Sequence, residues 1–328
     1  MATNQSKFKL ALLMMQKDEI LRLDPWIRYY SALFGPSSLF IFDNGSTNQS
    51  VIDRLHEAAH NGCNVSWEYA SMHYGEREEV FSGLIKDLDA TNPHDFYFPL
   101  DCDEFIAVSR GGSIALGRDE IEAELAKYAE SPAVLKIHHK LFHNPYRPNL
   151  YSYSVTSEKC FFAKGACDSL GPGFHHARAK QTDRELVTEI IYFEFHKQPY
   201  ETHMQSCRSK LSAFMDDFSR PSLREHVRRK GHCFHSAIDL LKSEYEYAKD
   251  LLQADDLIAY PGLLFCFEEL HIEYHQLFAQ VFPWGDSFRL TSLRIKHLCQ
   301  YASHNVAEFT YRCKASERRL ARAIRQRV

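Results

Sequence analysis

The first 110 residues alternate between apolar runs and segments of helical period, and that alternation leaves few architectures open. Residues 9–15 (KLALLMM) read as a strand buried on both faces. Residues 19–34 place Ile20, Leu23, Ile27, Tyr30, Ala32 and Leu33 near a 3.6-residue period, and Gly35-Pro36 stops that helix. A second strand over 38–42 runs into Asp43-Asn44-Gly45-Ser46, a turn cluster. A helix over 50–60, a strand over 65–69, a helix over 76–88 and a strand over 96–100 follow. Strands alternating with helices predict βαβ units, hence an α/β fold with a mainly parallel sheet flanked by helices. Such sheets bind ligands beyond the carboxyl ends of their strands. Three polar clusters fall at those ends: Lys17-Asp18-Glu19, Asp43-Asn44 and Asp101-Cys102-Asp103-Glu104.

From residue 111 the pattern is less regular. A helix is expected over 119–128 and strands over 133–139 and 158–163, with a loop over 143–157 that is rich in Asn, Pro, Ser and Tyr. Residues 165–183 hold three glycines, a proline and His175-His176. An apolar run over 186–195 ends at His196, and helices dominate from about 200, broken at Tyr260-Pro261-Gly262. The expected division is an α/β domain over 1–215 and a helical C-terminal extension over 216–328.

Composition excludes several classes. With 45% apolar and 25% charged residues, the 328-residue chain is neither disordered nor a disulfide miniprotein. Its 39 basic residues against 43 acidic ones give a net charge of −4, whereas duplex binding needs a cationic excess, so no nucleic-acid partner is expected. The nine cysteines form no C-x-x-C pair and read as reduced thiols. The N-terminal sequence MATNQSKFKL lacks a signal-peptide pattern, and no apolar run reaches the ~18 residues of a membrane span. A cytoplasmic protein is the expectation.

The acidic cluster after the fourth strand carries the chemistry. Mg²⁺ and Mn²⁺ take oxygen ligands, typically one or two carboxylates plus substrate phosphates. Asp101-Cys102-Asp103 supplies two carboxylates where an α/β sheet presents its ligands. A bare D-x-D is more often a solvated acidic turn; its place after this strand favours function.

Lys17-Asp18-Glu19 with LDPWIRYYSALFG, then LFIFDNGSTNQS, then DFYFPLDCDEFIAV, resemble the GT-A fold glycosyltransferases related to family 2, in the subgroup with a D-x-D-E-F motif. The resemblance covers roughly residues 8–215. It implies metal-assisted, inverting transfer of a sugar from a nucleotide-diphosphate donor, a UDP-sugar by expectation, to a glycan or lipid-linked acceptor. Carried over residue by residue, Asp103 would coordinate Mn²⁺ or Mg²⁺, and Asp101 would contact the donor ribose or the metal. Asp43 would touch the nucleotide base, with Asp18 and Glu19 lining the nucleoside pocket. The chain departs from the pattern at Asn48, where the family has Asp; this affects a helix cap. Arg77 is read either as a phosphate contact or as a surface residue at a Glu-rich helix start. The FEFHKQPYETHMQSCRSKL segment is a loose version of a late-strand motif whose histidine completes the metal shell, here His196.

A general base must stand near the acceptor hydroxyl. The family's Glu-Asp pair is absent between 140 and 200; among Asp168, Asp183, Glu185 and Glu194, the first two flank the Gly-rich loop and are the candidates. His175-His176 in that loop would cover the donor or touch the acceptor. Tyr146, Tyr151 and Tyr153 are candidate saccharide platforms. His232, Cys233 and His235 lack the four-ligand spacing of a zinc site. Residues 312–328 carry seven Lys or Arg against Glu317, and Leu320, Ile324 and Val328 line one side. This is read first as a solvated terminal helix and second as a peripheral contact with an anionic membrane. Two rivals use the same residues: another metal-dependent nucleotide enzyme (nucleotidyltransferase or phosphohydrolase), and a non-catalytic saccharide-binding module on a GT-A scaffold.

Overall fold

The computed structural model describes residues 7–154, 159–212, 214–231, 233–253 and 257–278. The basic segment 312–328 lies outside them. In chain order, β1 (Leu10–Gln16), α1 (Leu23–Phe34), β2 (Leu39–Asp43), α2 (Gln49–His60), β3 (Asn64–Ser66), α3 (Arg77–Thr91) and β4 (Phe96–Pro99) follow the expected alternation. Then come β5 (Glu104–Arg110), β6 (Ser113–Ala115), α4 (Arg118–Leu125), β7 (Val134–Lys136), β8 (His139–His143) and β9 (Leu150–Ser154). β10 (Cys160–Ala163), β11 (Cys167–Leu170), β12 (Ala177–Ala179), β13 (Glu185–Val187) and β14 (Ile190–Glu194) follow. The remainder is α5 (Tyr200–Leu211), α6 (Arg220–Arg228), α7 (Phe234–Leu240), α8 (Glu244–Leu252), β15 (Leu257–Ala259) and α9 (Gly262–Glu269).

The described residues form two compact units. The first comprises those within 7–142, 153–196 and 260–274. Its seven-stranded sheet has the order β13-β7-β10-β4-β1-β2-β3. β1 pairs in parallel with β2 and β4, β2 with β3, and β13 with β7; β10 alone runs against its neighbours. This is the α/β class with a mainly parallel sheet that the alternation predicts. Every residue of β1 is buried, which is why that strand reads as an apolar run with no polar alternation.

Helix α1 fixes the geometry around the D-x-D. Trp26, Tyr29 and Tyr30 are fully buried, and each such side chain contributes roughly 1.5–3 kcal/mol of burial. Tyr30 Oη donates to the Glu104 carbonyl at 2.9 Å and accepts from Ile106 N at 3.0 Å. Tyr29 Oη donates to the Ile106 carbonyl at 2.7 Å. The strand leaving the acidic cluster is thus stapled to the first helix. Phe81 and Ile85 of α3 join Leu13, Phe42, Tyr97, Phe162 and Phe174 in one core cluster.

β14 pairs antiparallel with β5 and parallel with β8. The expected strand over 186–195 is therefore two strands. Thr188 breaks it: its N–H and Oγ1 both donate to the Lys136 carbonyl at 2.9 Å, and Oγ1 accepts from Ile190 N at 3.2 Å. The kink lets one apolar run serve two sheets.

The second unit comprises described residues within 143–152, 197–259 and 275–278. It is mainly helical, from α5 to α8, with β15 paired antiparallel to β9. The loop expected over 143–157 thus contains a strand. Tyr146 packs with Met204, Tyr247 and Leu252 in this unit's core, and Tyr151 is 1% exposed. Neither is placed as an exposed sugar platform. Asn48, the departure from the family pattern, caps α2 through Oδ1, which accepts from Ser50 N at 3.0 Å.

Candidate functional site

At the carboxyl ends of β1 and β2, Gln16 donates through Nε2 to Asp43 Oδ1 at 2.6 Å. Asp43 Oδ2 accepts from Gly45 N and Ser46 N at 3.2 and 3.0 Å, and Ser46 Oγ donates to Oδ1 at 2.5 Å. Both oxygens of this buried carboxylate therefore shape the DNGS turn. Asp18, with a positive φ of 52°, accepts from Thr47 N and Asn48 N at 2.8 Å each. Burial pushes its carboxyl up, but these hydrogen bonds prevail and hold it below the usual range. Gly45 is required here: φ is +80°, and a Cβ would lie 2.6 Å from the Ala70 carbonyl oxygen.

After β4 the D-x-D separates its two aspartates. Asp101 Oδ2 meets Lys159 Nζ at 2.6 Å, and Asp101 Oδ1 meets Arg77 Nη1 at 3.0 Å. Lys159 is 1% exposed and also pairs with Glu104 Oε2 at 2.9 Å. Glu104 Oε2 in turn accepts from Asp101 N at 2.8 Å. Burial raises the Asp101 carboxyl, but Lys159 and Arg77 outweigh it and leave the group ionised. Burial pushes Glu104 well above its ordinary value despite Lys159, and the Asp101 charge adds to the rise. Lys159 itself is pulled down by burial and raised, on balance, by Asp101 and Glu104.

Asp103 faces a different group. One acceptor atom each from Asp103 and Glu194 and a ring nitrogen of His196 lie within 4.8 Å of one another. His196 Nδ1 is 3.9 Å from Asp103 Oδ2 and 3.8 Å from Glu194 Oε1. The register explains the meeting: Glu194 of β14 pairs with Glu104 of β5. Arg22 Nη1 approaches Asp103 Oδ2 at 3.2 Å and Arg22 Nη2 pairs with Glu19 at 2.6 Å; Lys140 pairs with Glu194 at 3.2 Å. Burial and then the Asp103 charge raise the Glu194 carboxyl to about 7. Two carboxylates and an imidazole are oxygen and nitrogen donors of the kind Mn²⁺ and Mg²⁺ accept, so the donor set fits a divalent cation.

Arg77 is not a surface residue. Its guanidinium lies 4.4 Å from the Tyr74 ring centroid and 4.8 Å from that of Phe174, with Nη1 also bonded to Tyr74 Oη. Phe174 belongs to the Gly-rich loop, and Gly173 N of that loop donates to Glu78 Oε1 at 2.8 Å. His175 contributes to lowering the Asp101 carboxyl, whereas His176 is exposed. Asp168 stands at the start of β11 between Lys86 at 3.8 Å and Arg178 at 3.7 Å. Asp183 is exposed between β12 and β13.

The structure thus gathers Asp101 and Arg77 in one cluster, Asp103, His196, Glu19 and Glu194 in another, and Asp18 and Asp43 at the turn between β2 and α2. Lys159, Arg22 and Lys140 join the site unannounced by any motif, and Glu194, expected only as a candidate base, lies in the Asp103 cluster. A lysine directly preceding the buried strand CFFA was the one available signal for Lys159.

A second cluster lies in the helical unit: His203, Cys207 and Asp239. Asp239 already meets His203 Nε2, Lys197 and Lys242, each at 2.9 Å. Its charge is balanced inside the protein, which makes it a staple between α5 and α7.

No protein-family model matches the chain, and no curated protein matches it. Among solved structures, it is similar to residues 1–349 of S. aureus TarS at 12% identity and a TM-score of 0.30, covering 75% of this chain and 80% of that one. Against a longer S. aureus TarS structure the values are 12% and 0.33, covering 94% of this chain and 55% of that one. The chain spans about half the length of the longer structure. Among the described residues, no helix is long and apolar enough to cross a membrane.

Proposed function

We propose that the protein is a metal-assisted glycosyltransferase of GT-A type, moving a sugar from a nucleotide-diphosphate donor to a glycan or lipid-linked acceptor. One observation carries this reading: Asp103, Glu194 and His196 converge within 4.8 Å beside the carboxyl ends of parallel strands, next to a D-x-D in the family's sequence context. These three residues would hold Mn²⁺ or Mg²⁺, which when bound neutralises charge developing on the departing diphosphate. Arg77, wedged between Tyr74 and Phe174, offers a second positive charge to the phosphates. Asp18, Glu19 and Asp43 shape the nucleoside pocket, with UDP as the expected nucleotide. The acceptor oxygen forms its bond to the anomeric carbon as the carbon–phosphate-oxygen bond breaks, and inversion follows from attack opposite the diphosphate. A general base, Asp168 or Asp183, takes the hydroxyl proton.

Calorimetric titration of nucleotide sugars, with Mn²⁺ and with EDTA, tests the reading on wild type and Asp103→Ala. Metal-dependent binding that the variant loses supports it. If no nucleotide sugar or nucleoside diphosphate binds under any condition, the transferase reading fails. Nucleotide turnover without any sugar acceptor would assign the site to a phosphohydrolase or nucleotidyltransferase instead.

A further inference from the structure

The two aspartates of the D-x-D face different partners. Each oxygen of Asp101 is taken by a cation of the protein, Lys159 at 2.6 Å and Arg77 at 3.0 Å. Asp103 meets Arg22 Nη1 at 3.2 Å and lies beside the ligand-type groups of Glu194 and His196. We infer that Lys159 is a positioning residue: it anchors Asp101 inside the fold, so that the turn presents Asp103, and not Asp101, to the cation. This rests on the metal reading above.

The anchor reaches the main chain as well as the side chain. Lys159 Nζ holds Glu104 Oε2, and the same oxygen accepts the Asp101 backbone N–H. One ammonium therefore fixes the carboxylate before the turn and the carboxyl group that ties the turn together. Lys159 stands at the start of β10, and Phe162 and Ala163 of that strand pair with Tyr97 and Phe96 of β4, the strand that enters the turn. Arg77, the other partner of Asp101, also contacts Glu78 at 3.4 Å. A lysine at 1% exposure has water available to none of its three N–H donors to any useful extent, so its place is set by these acceptors. A flexible surface lysine would not hold a turn in register in this way.

Two measurements on Lys159→Met, Lys159→Arg, Asp101→Asn, Asp103→Asn and the Asp101→Asn/Lys159→Met double variant test the inference. The first is Mn²⁺ binding, followed by the electron paramagnetic resonance of the free ion. An anchor lost at Lys159 or Asp101 lowers affinity by about 10-fold, whereas loss of a direct ligand at Asp103 costs about 100-fold or more. Lys159→Arg retains more affinity than Lys159→Met. If Asp101→Asn loses Mn²⁺ as completely as Asp103→Asn, or if Lys159→Met binds Mn²⁺ more tightly because Asp101 is released to it, the inference is overturned. The second is thermal unfolding without metal. Lys159→Met leaves a buried carboxylate short of a partner, lowering Tm by about 10 °C, and the double variant recovers much of that loss. A double variant no more stable than Lys159→Met overturns the clamp. Absence of Mn²⁺ binding in wild type would remove the metal reading and leave the clamp to be decided by the unfolding cycle alone.

Discussion

The backbone N–H of Phe195 donates to the carbonyl of Asp103 at 2.8 Å. The strand that ends in Glu194, Phe195 and His196 is therefore bonded to the D-x-D turn itself, across about 90 residues of sequence. That bond, with the Glu194–Glu104 register, brings a late histidine and an early aspartate into one cluster.

Glu194 makes the cluster sensitive to pH. Its folded value of about 7 lies above the ordinary 4.5. Below pH 4.5 the group is protonated in both folded and unfolded protein and contributes nothing. Between 4.5 and 7 folding holds a proton that the unfolded chain releases, so stability falls as pH rises, and the cost is complete above 7. Comparing wild type with Glu194→Gln by denaturant unfolding, the balance shifts against wild type by about 3 kcal/mol between pH 4 and pH 8. An unchanged difference between the two proteins would show that Glu194 titrates normally.

Gly45 holds the DNGS turn where no side chain fits. Gly45→Ala places a methyl group against the Ala70 carbonyl oxygen in a left-handed backbone. The expected loss is about 2 kcal/mol or more by chemical denaturation. Because Asp18 and Asp43 both bond to this turn, nucleotide affinity falls with it; a variant of wild-type stability would contradict the geometry.

Tyr30 couples the first helix to the acidic cluster. Tyr30→Phe leaves the Glu104 carbonyl and the Ile106 N–H without this partner, at a cost of about 1–3 kcal/mol. Amide hydrogen exchange at Ile106 reports it directly, and protection there falls if the bond exists in solution.

Much of this was legible in the chain. The strand ends at Gln16, Asp43 and Pro99 fall within one residue of expectation because buried parallel strands are unbroken apolar runs. β9 was not, because LYSYS carries no apolar run, and one of its two sheet neighbours, β15, lies about 100 residues away. The D-x-D stood out by its place directly after the fourth apolar strand. Lys159 and Arg22 did not, because ion pairs spanning 58 and 81 residues leave no local pattern.

In the helical unit, Asp239 is the group to test. Burial would raise its carboxyl, but His203 and the two lysines hold it far below the ordinary range. A depressed carboxyl stabilises at pH values above its unfolded value near 3.8, and that contribution fades as acid protonates the folded form. Asp239→Ala leaves two lysines and His203 around an empty position, costing about 3–5 kcal/mol at pH 7. Circular dichroism melts of the variant at pH 7 and pH 3 should differ less than those of wild type.

Crystals grown with Mn²⁺ and UDP place the central claim under the most direct test, by anomalous diffraction at the manganese edge. The expected result is one peak within about 2.0–2.6 Å of oxygens or nitrogens from Asp103, Glu194 and His196, with Asp101 still bonded to Lys159. A peak ligated by Asp101, or a structure in which UDP and Mn²⁺ lie away from the D-x-D, would contradict it.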